Sequence, residues 1–303
     1  MSRESLYSAL WSSSAEKPYD EARESDVARR RFGPALPTIE RALARARAEG
    51  RQLRVLDFGC ADGHTAEQIL APFADSIQYH GCDVYELDGT LQRMTAAGFR
   101  ARVSGTGLAG MPDDWTSFDV ILALSCFQYI PDPGVVFASL VSRLAPGGAL
   151  VGYFYDAAPL RQCTDAFFRE IVTAGPASDD EELIARLGPL AELFGSMRDA
   201  TAGRSIAVPV DVPELGLVAG DIPLQQFLID HVLFAWAPKG ASTTRIQWAL
   251  AEIFLTGEQT YISRGDVRAL AEANELDIDE LISGPSGNLL VATGPPRRST
   301  TRG

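Results

Sequence analysis

The chain has 303 residues, 46% hydrophobic and 22% charged, enough apolar material for a sizeable core. Lys and Arg number 27 against 40 Asp and Glu, a net charge of −13 that speaks against nucleic acid or an anionic membrane as main partner. At about 150 residues per domain, the length allows two domains or one elaborated domain.

No run of about 18 apolar residues occurs, so no membrane span is predicted. Residues 1–25 lack a basic stretch followed by an apolar core, so no secretory signal is predicted. Cys60, Cys82, Cys126 and Cys163 are widely separated, never form a C-x-x-C pair and lie in or beside apolar stretches. They read as buried, reduced thiols, with no disulfide framework and no metal site, in a cytoplasmic protein. Only Lys17 and Lys239 are lysines among the cations, and with abundant Ala and Gly this reads as a high-GC bacterial gene.

Residues 22–49 suit helix, with Phe32, Leu36, Ile39 and Leu43 at helical spacing and Pro34 and Pro37 starting or breaking it. Strand is predicted at 53–58, then a glycine turn and helix over 64–73. A strand over 77–82 ends at Asp83, followed by helix 87–97 and a weak strand 99–104. Phe118–Leu124 is an apolar strand, 134–144 a helix, and Pro146-Gly147-Gly148 turns into a strand over 149–155. This alternation predicts a parallel sheet with helices on both faces.

After Asp156 the pattern turns helical, over 160–173, 179–196, 224–236 and 244–255, around a Val/Pro-rich piece, RSIAVPVDVPELGL. The sheet signature returns as helix 264–274 and strands 276–282 and 288–292; the tail 295–303 is predicted disordered. The domain reading is an N-terminal helical segment (1–49) over the active site, and a sheet domain (50–157 and 262–294). A cap (158–261) is inserted after the fifth strand. No internal repeat is present.

The most informative segment is VLDFGCADG, Val55–Gly63. In an open parallel sheet, ligands bind at the carboxyl ends of strands, where the first turn meets a helix N-terminus. Gly59 and Gly63 let the backbone turn sharply and approach a ligand. A dinucleotide fingerprint would need glycines at 59, 61 and 64, but Ala61 and His64 stand there, so an NAD or FAD site fits poorly.

The segment resembles instead the D-x-G-x-(G/A)-x-G pattern of class I S-adenosylmethionine-dependent methyltransferases, and further features follow in that family's order. Asp83 closes the second strand; FDVILALSCFQYIPDP (118–133) looks like the fourth strand and its loop; LAPGGALVGYF (144–154) is similar to the turn into strand five. The separated last strands match the family's closing hairpin. The resemblance covers roughly 50–157 and 262–294. It implies a Rossmann-like α/β fold of seven mostly parallel strands with helices on both faces, plus a largely helical cap after strand five.

The resemblance further implies S-adenosylmethionine as cofactor and S-adenosylhomocysteine as product. Asp57, Gly59, Ala61 and Gly63 form the cofactor turn; Asp83, unless only a helix N-cap, accepts from the ribose hydroxyls. Leu124 and Ser125 offer backbone to the methionine moiety. Where the family often has an acid for the adenine amino group, this chain has Thr106 and Gly107. Backbone groups and the sides of Val84, Leu108 and Trp115 then hold the adenine.

Transfer of an activated methyl needs positioning above all, with a base where the nucleophile must lose a proton. Candidates are His231 in FLIDHVLFAW, which also reads as a packed helix-face histidine, Tyr129, and Asp156, which also reads as a loop cap. His64 approaches the cofactor or faces solvent; His80 is a structural strand residue. Gln128, Tyr129, Tyr155, Phe227 and Trp236 are the candidate substrate residues. Tyr7, Trp11 and Tyr19 fold over the cofactor or simply pack, and among Arg29, Arg30 and Arg31 a partner for the cofactor carboxylate is available.

The implied function is methyl transfer to an O, N or C atom of a small apolar or aromatic metabolite, in bacterial specialised metabolism such as antibiotic biosynthesis. No nucleic-acid or membrane partner is expected, and a homodimer is compatible. The alternative is an S-adenosylmethionine-binding enzyme of the same fold with a non-methylating reaction such as cyclisation.

Overall fold

The computed structural model describes residues 28–29, 31–84, 87–156, 159–174, 180–212, 217, 219–228, 242–255, 260–284 and 287–295. Two compact units emerge, one holding 21–156 with 260–303 and the other holding 157–259.

In the first unit a 3-10 turn, Gly33–Ala35, leads into α1 (Leu36–Ala48), with Pro34 and Pro37 both in first-turn positions that need no backbone donor. Then follow β1 (Leu53–Phe58), α2 (His64–Leu70), β2 (Ile77–Cys82), α3 (Asp88–Ala96), β3 (Arg100–Ser104), β4 (Phe118–Leu124), α4 (Pro133–Ser142) and β5 (Leu144–Tyr155). The predicted helix over 64–73 stops at Leu70 and tightens into a 3-10 stretch, Ala71–Ser76, at Pro72. The chain leaves the unit after β5 and returns as α10 (Arg264–Ala273), β8 (Asp277–Gly284) and β9 (Gly287–Thr293).

The seven-stranded sheet has the order β3-β2-β1-β4-β5-β9-β8. All pairs from β3 to β5 are parallel, while β5–β9 and β8–β9 are antiparallel. Every residue of β4 is buried, as a central parallel strand covered on both faces requires. One core holds Ile39, Leu43, Val55, Tyr79, Val120 and Tyr153; the other holds Leu56, Phe118, Ile121, Phe137, Phe154 and Leu290. Because β4 starts beside β1 after a chain that first ran outward to β3, strand order reverses between these two. That is the switch point where an open α/β sheet binds ligands.

Between 157 and 259 lie α5 (Pro159–Thr173), α6 (Asp180–Arg186), α7 (Gly188–Thr201), α8 (Leu224–Phe227) and α9 (Thr243–Leu255). The helix predicted over 179–196 is two helices, parted before Gly188-Pro189. The Val/Pro-rich piece contributes β6 (Ser205–Val208), which pairs antiparallel with β7 (Gly220–Pro223), a hairpin the sequence reading missed. Phe168 meets Phe194 and Phe254 at ring distances of 5.6 and 6.1 Å, giving this unit its own apolar centre. The tail beyond 295 lies outside the described residues.

At the edge of the sheet opposite the switch-point turn, Asp119 is almost fully buried and takes a bidentate pair from Arg51 (2.6 and 2.8 Å) plus the Arg54 N–H (2.9 Å). Arg51→Ala should lower unfolding free energy by about 3 kcal/mol, since it strips the cation from a buried carboxylate. Arg102→Ala breaks an exposed pair with Asp114 and a cation–π contact over Trp115 (5.6 Å), and should cost about 1 kcal/mol or less. Denaturant titrations giving the two variants equal losses would contradict this placement.

Candidate active site

From the end of β1 the chain turns through Gly59–Gly63 into α2. The N–H groups of Gly59 and Cys60 donate to the Cys82 carbonyl (2.8 and 3.2 Å), tying the turn to the end of β2. Gly59 has φ +70°, and a Cβ there would collide with Cys126 after β4, so β1 and β4 approach too closely for any side chain. Gly63 (φ +78°) opens α2, and a Cβ on it would press on Thr90 and Met94 at 3.1 Å. Ala61 also lies at positive φ (+46°), a strained conformation for a residue with a side chain.

Two buried carboxylates flank this turn. Asp83 is 6% exposed; its Oδ2 accepts from the Ala61 N–H (2.8 Å) and its Oδ1 from the Val84 N–H (2.7 Å). Burial raises its pKa, and the two N–H donors pull it back down. Asp57, at the end of β1, accepts from the Tyr79 hydroxyl (2.7 Å). Burial is the largest influence on it, the Tyr79 bond opposes that, and Asp83 and Asp62 add repulsion; its pKa is pushed up to about 7. A Cβ on Gly81 would lie 3.1 Å from both the Tyr79 hydroxyl and the Cys60 sulfur, so that glycine makes room for the bond.

The loop after β4 supplies the other side. Ser125 is held at φ +63°, and Phe127 stacks on Phe154 at 4.6 Å, fixing the 3-10 turn Phe127–Tyr129. Gln128 is buried; its Nε2 donates to the Ser125 carbonyl (2.6 Å), while its Oε1 has no hydrogen-bond partner. Where the chain returns to the sheet unit, the Thr260 N–H donates to Gln128 O and the Ile262 N–H to Tyr155 O, each at 2.9 Å. Asp156 accepts from Asn288 Nδ2 (3.3 Å), whose Oδ1 accepts from Ser283, which in turn accepts from Arg264.

The structure thus brings Asp57, Gly59, Ala61, Gly63, Asp83, Val84, Leu124, Ser125, Gln128, Tyr129 and Asp156 to one edge of the sheet. Gly107 is buried there with φ +60°, its N–H donating to the Asp83 carbonyl (2.7 Å), and Leu108 beside it is half-buried. Val84 is 40% exposed. Thr106 is exposed, its hydroxyl paired with Ser104 (2.9 Å). Tyr155 packs partly on the core, edge-on to Tyr153 at 5.5 Å.

Several expectations change. Trp115 is fully buried, edge-on to His80 at 4.9 Å, and presents no face to a ligand. His64 is buried beside Arg93 (3.4 Å), not solvent-facing. His80 is structural as read: buried between Trp115 and Phe118, its pKa falls to about 4, chiefly through burial. Arg31 lies over the Tyr153 ring (4.4 Å) and Arg29 reaches Gln68, so neither is reserved for a ligand; Arg30 is outside the described residues. Cys60 and Cys82 are buried, Cys126 half-buried, and Cys163 is exposed, contrary to the reading of four buried thiols. Phe227, on α8, is half-buried within the other unit. His231, Trp236, Tyr7, Trp11 and Tyr19 lie outside the described residues. Tyr79, Thr90, Arg93 and Asn288, which build the site's support, went unread; only Asn288, a lone amide in an apolar strand, carried a signal.

Residues 56–150 match a family model described as a methyltransferase domain. Residues 56–150 of the sheet unit are thus a methyltransferase domain, with the fold of the class I S-adenosylmethionine-dependent family. Trans-aconitate 2-methyltransferase of Methylobacterium radiotolerans is 31% identical over 158 residues, 50% of this chain and 56% of that relative. The enzyme of the same name from Rhizobium leguminosarum is 30% identical over 128 residues, 41% and 46% of the two chains. The chain therefore spans about half the length of the curated relatives it matches. PKMT2 from Rickettsia typhi in complex with AdoHcy shares the fold, with TM-score 0.52 at 12% identity over 82% of this chain and 51% of that one. Among the described residues no helix is long and apolar enough to cross a membrane, and no cluster of His, Cys, Asp and Glu is suited to hold a metal ion.

The turn fits S-adenosylmethionine: a buried carboxylate at the end of β2, a glycine turn at Gly59 packed too tightly on Cys126 for any Cβ, and a buried Gln128 Oε1 awaiting a donor. Without ligand, Asp57 has a distinct pH signature. Its raised pKa means that its contribution to stability is full below the usual carboxylate range near 4. That contribution is lost as pH rises through about 7. Asp57→Asn, which still accepts from Tyr79, should therefore gain stability relative to the parent between pH 4 and pH 7. Parallel stability curves for the two proteins over that window would refute the assignment.

Proposed function

We propose that this chain transfers the methyl group of S-adenosylmethionine to a small-molecule acceptor. The observation that carries the reading is Asp83, buried at the end of β2 and hydrogen-bonded to the turn at the switch point. Each of its oxygens keeps a lone pair beyond its backbone bond, and ribose hydroxyls are the donors that would compensate its burial. Val84 and Leu108 flank the adenine; backbone at Thr106 and Gly107 replaces the missing acid. Asp57, Gly59, Ala61 and Gly63 shape the turn, and Leu124 and Ser125 present backbone to the methionine moiety.

When bound, the cofactor supplies an electrophilic methyl on a sulfonium, so the protein's task is orientation and exclusion of water. Gln128 Oε1 is a ready acceptor for a donor on the ligand. Tyr129, Tyr155 and Asp156 line the acceptor side, and Asp156, oriented by Asn288, is the base within the sheet unit. The segment 157–259, with Phe227, Trp236 and His231, selects the acceptor; His231 is the rival base. Dependence on S-adenosylmethionine supports a cytoplasmic setting.

The side chains named favour a neutral apolar or aromatic acceptor of specialised metabolism. A second reading follows from the relatives' name: methylation of a carboxylate oxygen, for which no base is needed. The protein incubated with S-adenosylmethionine and a panel of phenols, amines and trans-aconitate should yield S-adenosylhomocysteine and an acceptor heavier by one CH2. Turnover of trans-aconitate alone would select the second reading. Conversion of an acceptor without gain of mass would favour cyclisation, and absence of cofactor binding would end all three.

A further inference from the structure

Ala61 is the strained link of the cofactor turn, and α3 holds it. Its φ of +46° suits glycine; in alanine it is retained only if the surroundings hold both adjacent peptides. One side is held by Asp83, which accepts the Ala61 N–H at 2.8 Å. The other is held by Thr90, 2% exposed, whose hydroxyl donates to the Ala61 carbonyl at 2.7 Å. The same threonine packs its methyl where a Cβ on Gly63 would come within 3.1 Å. One turn further along α3, Arg93 pairs with Asp62 (3.3 Å) and Glu67 (3.0 Å). Three consecutive residues of the turn are thus set by a helix that itself follows Asp83.

We propose that Thr90 is a positioning residue for the cofactor: its hydroxyl fixes the Ala61 peptide so that the turn and Asp83 stay in register for binding. The proposal rests on the reading of this turn as the S-adenosylmethionine site. Removing the hydroxyl leaves a carbonyl without its donor and lets the turn relax from positive φ, carrying the Ala61 N–H away from Asp83. With glycine at 61 there is no strain to resist, and the hydroxyl should matter much less.

The test is a double-variant cycle read by calorimetry with S-adenosylhomocysteine. Thr90→Val, which keeps the packing volume and loses the hydroxyl, should weaken binding about tenfold. Thr90→Ser, which keeps the hydroxyl, should stay within about twofold, and in Ala61→Gly the loss caused by Thr90→Val should shrink to about twofold. In turnover, Thr90→Val should raise KM for S-adenosylmethionine and leave kcat at saturation unchanged. If Thr90→Val does not fold, Thr90→Ala compared with Thr90→Ser carries the same two outcomes. A parent protein that binds while Thr90→Val binds equally well overturns the proposal, as does an equal loss in both backgrounds. A parent protein that gives no binding heat overturns the cofactor reading itself, and the proposal with it.

Discussion

The site depends on one hydrogen bond, from the Ala61 N–H to the Asp83 carboxylate. It joins the end of β2 to the turn after β1 across the line where the sheet reverses its strand order. A buried carboxylate is costly unless donors surround it, and here the backbone supplies two and leaves the remaining lone pairs for a ligand. The strained turn and the buried charge therefore stabilise each other. The non-glycine residues at positive φ include Ala61 and Ser125, which stand at the ends of the two strands that meet at the switch point.

Burial also explains the chemistry of the surrounding groups. Cys60, Cys82 and Cys126 all have thiol pKa values raised by burial and by the nearby Asp57 and Asp83, so they remain neutral packing groups. The two buried carboxylates, Asp57 and Asp83, leave this edge receptive to positive charge. A sulfonium cofactor bearing an ammonium group suits that field, and the chain's net charge of −13 runs the same way.

Much of this was legible in the chain itself. Buried central strands are near-continuous apolar runs, so β4 and β9 stand out, and the spacing of Gly59, Gly63 and Asp83 marks the turn. The hairpin of β6 and β7 hid in prolines and valines that read as loop, and Gly188-Pro189 split what looked like one helix. The supporting residues were hidden for another reason. Tyr79 reaches Asp57 across 22 positions, Thr90 reaches Ala61 across 29, and Asn288 reaches Asp156 across 132. No local periodicity encodes such contacts; only the register of packed strands and helices creates them.

The central claim is that Asp83 both organises the turn and receives the cofactor. It is tested most directly by calorimetric titration of Asp83→Ala with S-adenosylhomocysteine, alongside its thermal melting. Loss of two charge-assisted hydrogen bonds predicts an affinity lower by about a hundredfold or more, in a protein that still melts cooperatively. An affinity within about threefold of the parent, in a folded variant, would contradict the account.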